Sequence, residues 1–149
     1  MKSPAIEGRR KRERSYVLDD QVGFLLRQAH QRHTTIFATE MIEDLTPTQW
    51  AALAKLRELG ACSQNHLGRQ TAMDAATIKG VIDRLTGRGF TTTGPDPRDG
   101  RRLLVALTPA GLELYERTAP IATLITQKTL EPLDEYERAA LVALLRRLA

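Results

Sequence analysis

The sequence predicts a mainly α-helical fold with a small β-wing, and three observations lead there. Between Asp96 and Gly111, the turn residues Pro97 and Gly100, the basic pair Arg101-Arg102, the apolar run Leu103 to Leu107 and the pair Thr108-Pro109 follow one another without interruption. That order spells a loop, a strand and a helix start, because proline and glycine supply turn geometry and a threonine ahead of proline opens a helix. Upstream, Ile78, Val81, Ile82 and Leu85 recur at helical spacing behind Asp74, an N-cap residue type, with Gly87 or Gly89 as the stop. Longer stretches on both sides have helical periodicity and cap signals of their own.

In chain order, the 149 residues are expected to form a basic arm at 1–15 and one domain over 16–149, a length that suits a single core. The arm carries Lys2, Arg9, Arg10, Lys11, Arg12 and Arg14 against Glu7 and Glu13, which equals the whole net charge of +4. Without apolar periodicity it reads as a disordered segment that attracts phosphate, reaches an adjacent minor groove, or only aids solubility. From about residue 19 to 44 a helix is expected, with Val22, Leu25, Leu26, Ala29, Ile36 and Phe37 on one broad face. Thr46-Pro47-Thr48-Gln49 is a capping box opening a helix whose apolar residues are Trp50, Leu53, Leu56 and Leu59. Ser63 to Met73 supplies a short helix and a turn, residues 74 to 90 the next helix and its exit, and a hairpin follows, with the wing and the next helix start in the run from Asp96 to Gly111. Two further helices follow, from Pro109 to about Leu130 with Pro120 expected to kink it, and from a capping box at Asp134 and Glu137 to Leu148.

Helix, turn, helix and hairpin in that order make a winged helix-turn-helix, a module that lays its second helix in the major groove of DNA. Three stretches carry a more specific likeness: Leu45-Thr46-Pro47-Thr48-Gln49-Trp50, the segment from Val81 to Phe90, and the wing with its Leu-Thr-Pro-x-Gly helix start up to Gly111. In these the chain resembles the MarR family of bacterial transcription regulators. The resemblance implies a winged helix-turn-helix over 46–108 and dimerisation helices over 16–45 and 109–149, intertwined in a two-fold homodimer. It also implies a repressor released from a pseudo-palindromic double-stranded operator by a small effector, an aromatic acid or its thioester.

Charge is segregated in a way that suits such a task. Residues 69 to 102 hold seven basic against four acidic side chains, whereas the flanks are slightly acidic; one surface is built to face phosphate. With the apolar residues of the second helix turned inward, Ala75, Ala76, Thr77, Lys79, Gly80, Asp83 and Arg84 are left outward. Thr77 and Lys79 are candidates for base edges or phosphates, and Ala75 and Ala76 for a thymine methyl or a close approach. Lys79 and Arg84 also read simply as solvated charges. In the wing, Arg98 and Arg101 suit the minor groove or the backbone. By resemblance, Asp99 ties down an arginine and shapes the loop, while Gly80 and Gly100 stand where relatives often carry larger polar or basic residues. Ser63 and Arg69 are candidates for phosphate contact, with a plain N-cap as the alternative for Ser63.

For an effector, the resemblance implies a crevice between the dimer helices and the winged unit. Trp50 and Arg57 share one side of their helix, and an indole beside a guanidinium suits an aromatic carboxylate. His33 and Glu40 interrupt the apolar face of the first helix, with His30 and Arg27 at its edge. The same residues also read as a core tryptophan under a snorkelling arginine and a satisfied interface histidine. Other sensing chemistries rest on thinner signals. Cys62 is a lone cysteine, and reactivity needs an electropositive, exposed niche; His30 and His33 have i, i+3 spacing but few helpers for zinc. A ligand-free architectural DNA-binding protein is a further alternative. No nucleophile–base pair, phosphate-cradling glycine loop or carboxylate motif points to an enzyme, and no cofactor or metal is expected. The apolar stretches are too short and interrupted to span a bilayer, no signal-peptide region is evident, and a cytoplasmic location is expected.

Overall fold

Side-chain caps mark where every α-helix after the first begins. In the computed structural model, which describes residues 15–149, Thr46, Ser63, Asp74, Thr108 and Asp134 each accept a hydrogen bond from the backbone amide three residues on. They open α2 (Pro47–Leu59), α3 (Gln64–Gln70), α4 (Ala75–Gly87), α5 (Pro109–Thr129) and α6 (Glu135–Leu148). At Thr46 and Asp134 the bond is reciprocated by the Gln49 and Glu137 side chains, so both predicted capping boxes are present. The basic arm lies outside the described residues, except for Ser15.

The first helix is shorter than the sequence reading. A 3-10 turn at Leu18–Asp20 precedes α1 (Val22–Glu40), and the chain then leaves helical geometry through extended Met41 and through Glu43 and Asp44, both with positive φ. The apolar pattern continues to Leu45, but Leu45 is buried from a loop, and helical periodicity alone does not tell the two apart.

Strands β1 (Thr91–Pro95) and β2 (Leu103–Leu107) form an antiparallel hairpin in which Thr91 faces Leu107 and Pro95 faces Leu103. Cys62, between α2 and α3, adds an isolated bridge to Val105 through two backbone hydrogen bonds, of 3.1 and 2.8 Å, and ties the base of the wing to the body. The core lies under this hairpin: Leu53 and Leu56 of α2, Leu67 of α3, Ile78, Val81, Ile82 and Leu85 of α4, Val105 of β2 and Leu114 of α5. All four predicted inward residues of α4 are among them.

At the end of α4, Gly89 adopts φ 81°; its amide bonds to Thr86 O and the Phe90 amide to Leu85 O. This paired closure needs a residue that tolerates left-handed backbone, hence glycine. Phe90 O then meets the first turn of α5. A Cβ placed on Gly111 would lie 2.0 Å from it, so only glycine allows this contact. Helix α5 runs unbroken through Pro120, while α6 buries no residue.

Candidate nucleic-acid interface and effector site

Helix α4 presents a polar, small-residue face opposite its buried one. Ala75, Ala76, Thr77, Lys79 and Arg84 are exposed, as is Asp83, and Gly80 is half-buried. Lys79 is held by Asp83 at 2.7 Å, four residues on, with both side chains more than 60% exposed. Such a pair is worth little in water, so the lysine is only weakly held. The Asp74 carboxyl is held below its ordinary range chiefly by the Thr77 backbone amide, so the cap stays charged further into acid than a free aspartate does.

The wing tip is shaped by aspartates acting on backbone. Asp96 Oδ1 accepts from the Arg98 amide at 2.8 Å, and Asp99 Oδ1 from the Arg101 amide at 3.1 Å. Asp99 thus ties down Arg101 through its peptide group and shapes the loop tip, and among the described residues it forms no ion pair with an arginine side chain. Arg98 and Arg101 stay exposed, with no carboxylate partner among the described residues. Behind them a cleft of about 520 Å³ opens between α3 and the wing, lined by Ser63, Gln64, Asn65, Arg69, Arg101 and Arg102. Three guanidinium groups and no acid line it. Arg102, Gln64 and Asn65 were not singled out from the sequence, because only the fold brings α3 beside the wing. Ser63 itself serves as an N-cap, accepting from the His66 amide.

The residues grouped as an effector site fall into separate places within one protomer. Trp50 stacks on Tyr115 of α5, with ring centroids 5.4 Å apart and planes 3° from parallel. Arg57, two turns along α2, lines a cavity of about 450 Å³ with Leu56, Gly60, Ala61, Ala106, Leu107, Thr108, Pro109 and Leu112. No carboxylate pairs with this guanidinium among the described residues, and its surroundings are mainly apolar. His33 lies at the other end of α5, its Nδ1 2.8 Å from Thr129 Oγ1. Leu112 and Thr129 are seventeen residues apart on one helix, so about 25 Å separates the Arg57 cavity from His33 along its axis.

Burial, and then the neighbouring His30, push the His33 pKa down. Arg32, not singled out from the sequence, donates to the carbonyls of Lys128 and Thr129 and so caps the end of α5; Glu40 pairs with Lys128. Arg27 and His30 are exposed on α1. Cys62 is half-buried and its thiol is pushed up by burial, the opposite of an activated thiolate. Among the described residues no three His, Cys, Asp or Glu side chains cluster as a metal site, and no helix is long and apolar enough to cross a membrane.

The sequence pattern of the MarR family matches residues 45–103, which is α2 through the start of β2. The transcriptional repressor NicR of Pseudomonas putida is 40% identical over 134 residues, covering 89% of this chain and 85% of NicR. The chain belongs to the MarR family. Solved structures agree along nearly the whole described length. A probable transcriptional regulator from Pseudomonas aeruginosa superposes with a TM-score of 0.87 at 54% identity, covering 89% of this chain and 100% of that one. BpsR of Bordetella bronchiseptica, whose DNA binding is regulated by 6-hydroxynicotinic acid, superposes with a TM-score of 0.86 at 45% identity, covering 89% and 96%. The fold class expected from the sequence is thus the observed one: a mainly helical MarR-family protein with a two-stranded wing.

Proposed function

We propose that this MarR-family protein is a homodimeric repressor that binds a pseudo-palindromic operator and is released by a small aromatic acid. The observation that carries the DNA half is the basic surface formed by the wing tip and the α3 cleft, where Arg69, Arg101 and Arg102 line the cleft and Arg98 is exposed at the tip. Helix α4 reads bases through Ala75, Ala76, Thr77, Lys79 and Arg84, while Arg98 and Arg101 hold the backbone or the minor groove.

Dimerisation is supported by what the terminal elements leave uncovered. Val22, Leu25 and Leu26 of α1 and Val142, Leu144, Leu145 and Leu148 of α6 are large apolar residues exposed in one protomer. Apolar area of that extent calls for a partner; a second copy covers both helices under two-fold symmetry. In this division residues 46–108 face DNA, whereas 16–45 and 109–149 make the dimer. The reading entails neither catalysis nor a cofactor, and places the protein in the cytoplasm with its DNA.

The effector reading rests on an unpaired guanidinium beside an apolar cavity, a combination suited to an aromatic carboxylate. Arg57 supplies the charge, and the Trp50–Tyr115 stack lies on the same α2–α5 seam. The second candidate place is the polar edge of α1 with Arg27, His30 and His33. The likeness to BpsR makes 6-hydroxynicotinic acid the first ligand to test. Operator DNA from upstream of the gene is titrated with the protein by fluorescence anisotropy, then challenged with 6-hydroxynicotinic, nicotinic and benzoic acids and with coenzyme A thioesters. Release by an acid is expected, together with a change in Trp50 emission. Arg57→Ala and His33→Ala decide which place holds it, since only the correct variant loses release while keeping operator affinity. Release by peroxide or zinc and by none of these acids overturns the effector reading.

A further inference from the structure

Glu43 sits in the loop between α1 and α2, and three elements meet on it. Its backbone oxygen accepts a hydrogen bond from Arg88 Nη2 at 2.6 Å. Its carboxylate stands 3.9 Å from that same guanidinium and 3.5 Å from Arg117 Nη1 of α5. Arg88 is the C-cap of α4, and its guanidinium also lies over the Phe90 ring, 5.0 Å from the centroid. Glu43 and the following Asp44 are two successive non-glycine residues at positive φ, 60° and 52°, a conformation that costs energy and persists only where its surroundings hold it. Leu45, next in the chain, is anchored in the core.

Stability does not account for this arrangement. The three side chains are one-third to one-half exposed, and ion pairs in that setting contribute little. Position does. Helix α4 has thirteen residues and is about 20 Å long. A rotation of about 10° about its clasped end moves the opposite, base-reading end by roughly 3 Å, enough to break direct readout.

We propose that Glu43 is a positioning residue for DNA recognition: together with Arg88 and Arg117 it clasps the exit of α4 to α5 and to the end of α1, and so sets the angle at which α4 meets the major groove. The inference rests on the family's DNA-binding role and not on any effector.

Three variants test it: Glu43→Gln keeps size and backbone, Arg88→Lys keeps charge but loses the forked donor and the ring contact, and Arg117→Ala removes the third partner. Affinities for operator and for a scrambled duplex are measured without effector, alongside the melting temperature. In Glu43→Gln and Arg88→Lys we expect operator affinity to fall by about fivefold to thirtyfold, scrambled-duplex affinity to stay within about twofold, and the melting temperature to move by less than about 3 °C. Hydrogen exchange in the DNA-free protein is an independent readout: the Gly89 and Phe90 amides exchange several-fold faster in both variants while core amides do not. A general loss of stability with unchanged preference for operator, or wild-type exchange at Gly89 and Phe90, overturns the proposal.

Discussion

Trp50 and Tyr115 form an offset parallel stack, their ring planes within 3° of parallel and their centroids 5.4 Å apart, which adds an aromatic contact to the seam between α2 and α5. Aromatic pairs of this separation contribute about 0.5–1.5 kcal/mol beyond the area they bury. A double-mutant cycle of Trp50→Leu and Tyr115→Leu, read by urea denaturation monitored by circular dichroism, is expected to return a coupling energy in that range. In Tyr115→Leu, emission from the sole tryptophan should shift to the red as water reaches the exposed face of the indole.

Gly111 is a position where one methyl group should matter. Its Cβ would stand 2.0 Å from a backbone oxygen, so either α5 or the exit of α4 must move. Gly111→Ala is expected to cost about 1–3 kcal/mol, the range of overpacked sites, and to lower operator affinity because the displaced segment carries α4. Gly87→Ala is the control: its Cβ meets nothing within 4 Å, and the change should be neutral or stabilise by up to about 1 kcal/mol. Thermal melts of the two variants check the contrast.

Acid should weaken the fold through His33. Its folded pKa lies below the ordinary histidine value because burial and His30 oppose the charge, so below about pH 6.5 the unfolded chain binds the proton more readily. The contribution is complete above that pH and is lost as pH falls towards the folded value. In urea melts from pH 7.5 to 5, His33→Asn should show a shallower decline than the wild type. A parallel decline assigns the acid sensitivity elsewhere.

The wing arginines and the α4 lysine should separate in their salt dependence. Arg98→Ala and Arg101→Ala are each expected to weaken operator binding and to flatten the slope of log K against log salt by about one, as loss of a phosphate contact requires. Lys79→Ala should instead relax discrimination at one base pair if the lysine leaves Asp83 for a base edge. Anisotropy titrations between low and physiological salt measure both.

Helix starts were legible because their causes are local: Thr46 with Gln49, or Asp134 with Glu137, fall within four residues of each other. The inward face of α4 was legible for the same reason. The end of α1 was not, since the left-handed turn at Glu43 and Asp44 is held by Arg88, forty-five residues on. Nor was the spread of the effector candidates. Arg57 and His33 looked like neighbours only while the long helix on which their partners Leu112 and Thr129 lie had no place in space. Partners such as Thr129 for His33, ninety-six residues away, leave no local trace.

The hairpin leaves and rejoins the body through one narrow neck. Thr108 Oγ1 donates to Gly89 O at 2.6 Å and accepts from the Gly111 amide, while the Thr108 amide donates to Phe90 O at 3.1 Å. The two ends of the wing are therefore pinned together whatever the tip contains, and lengthening a closed loop costs only slowly growing entropy. Residues 96 to 102 form an exchangeable cartridge. Swapping or extending them is expected to alter the groove shape the wing fits while the core stays as it was.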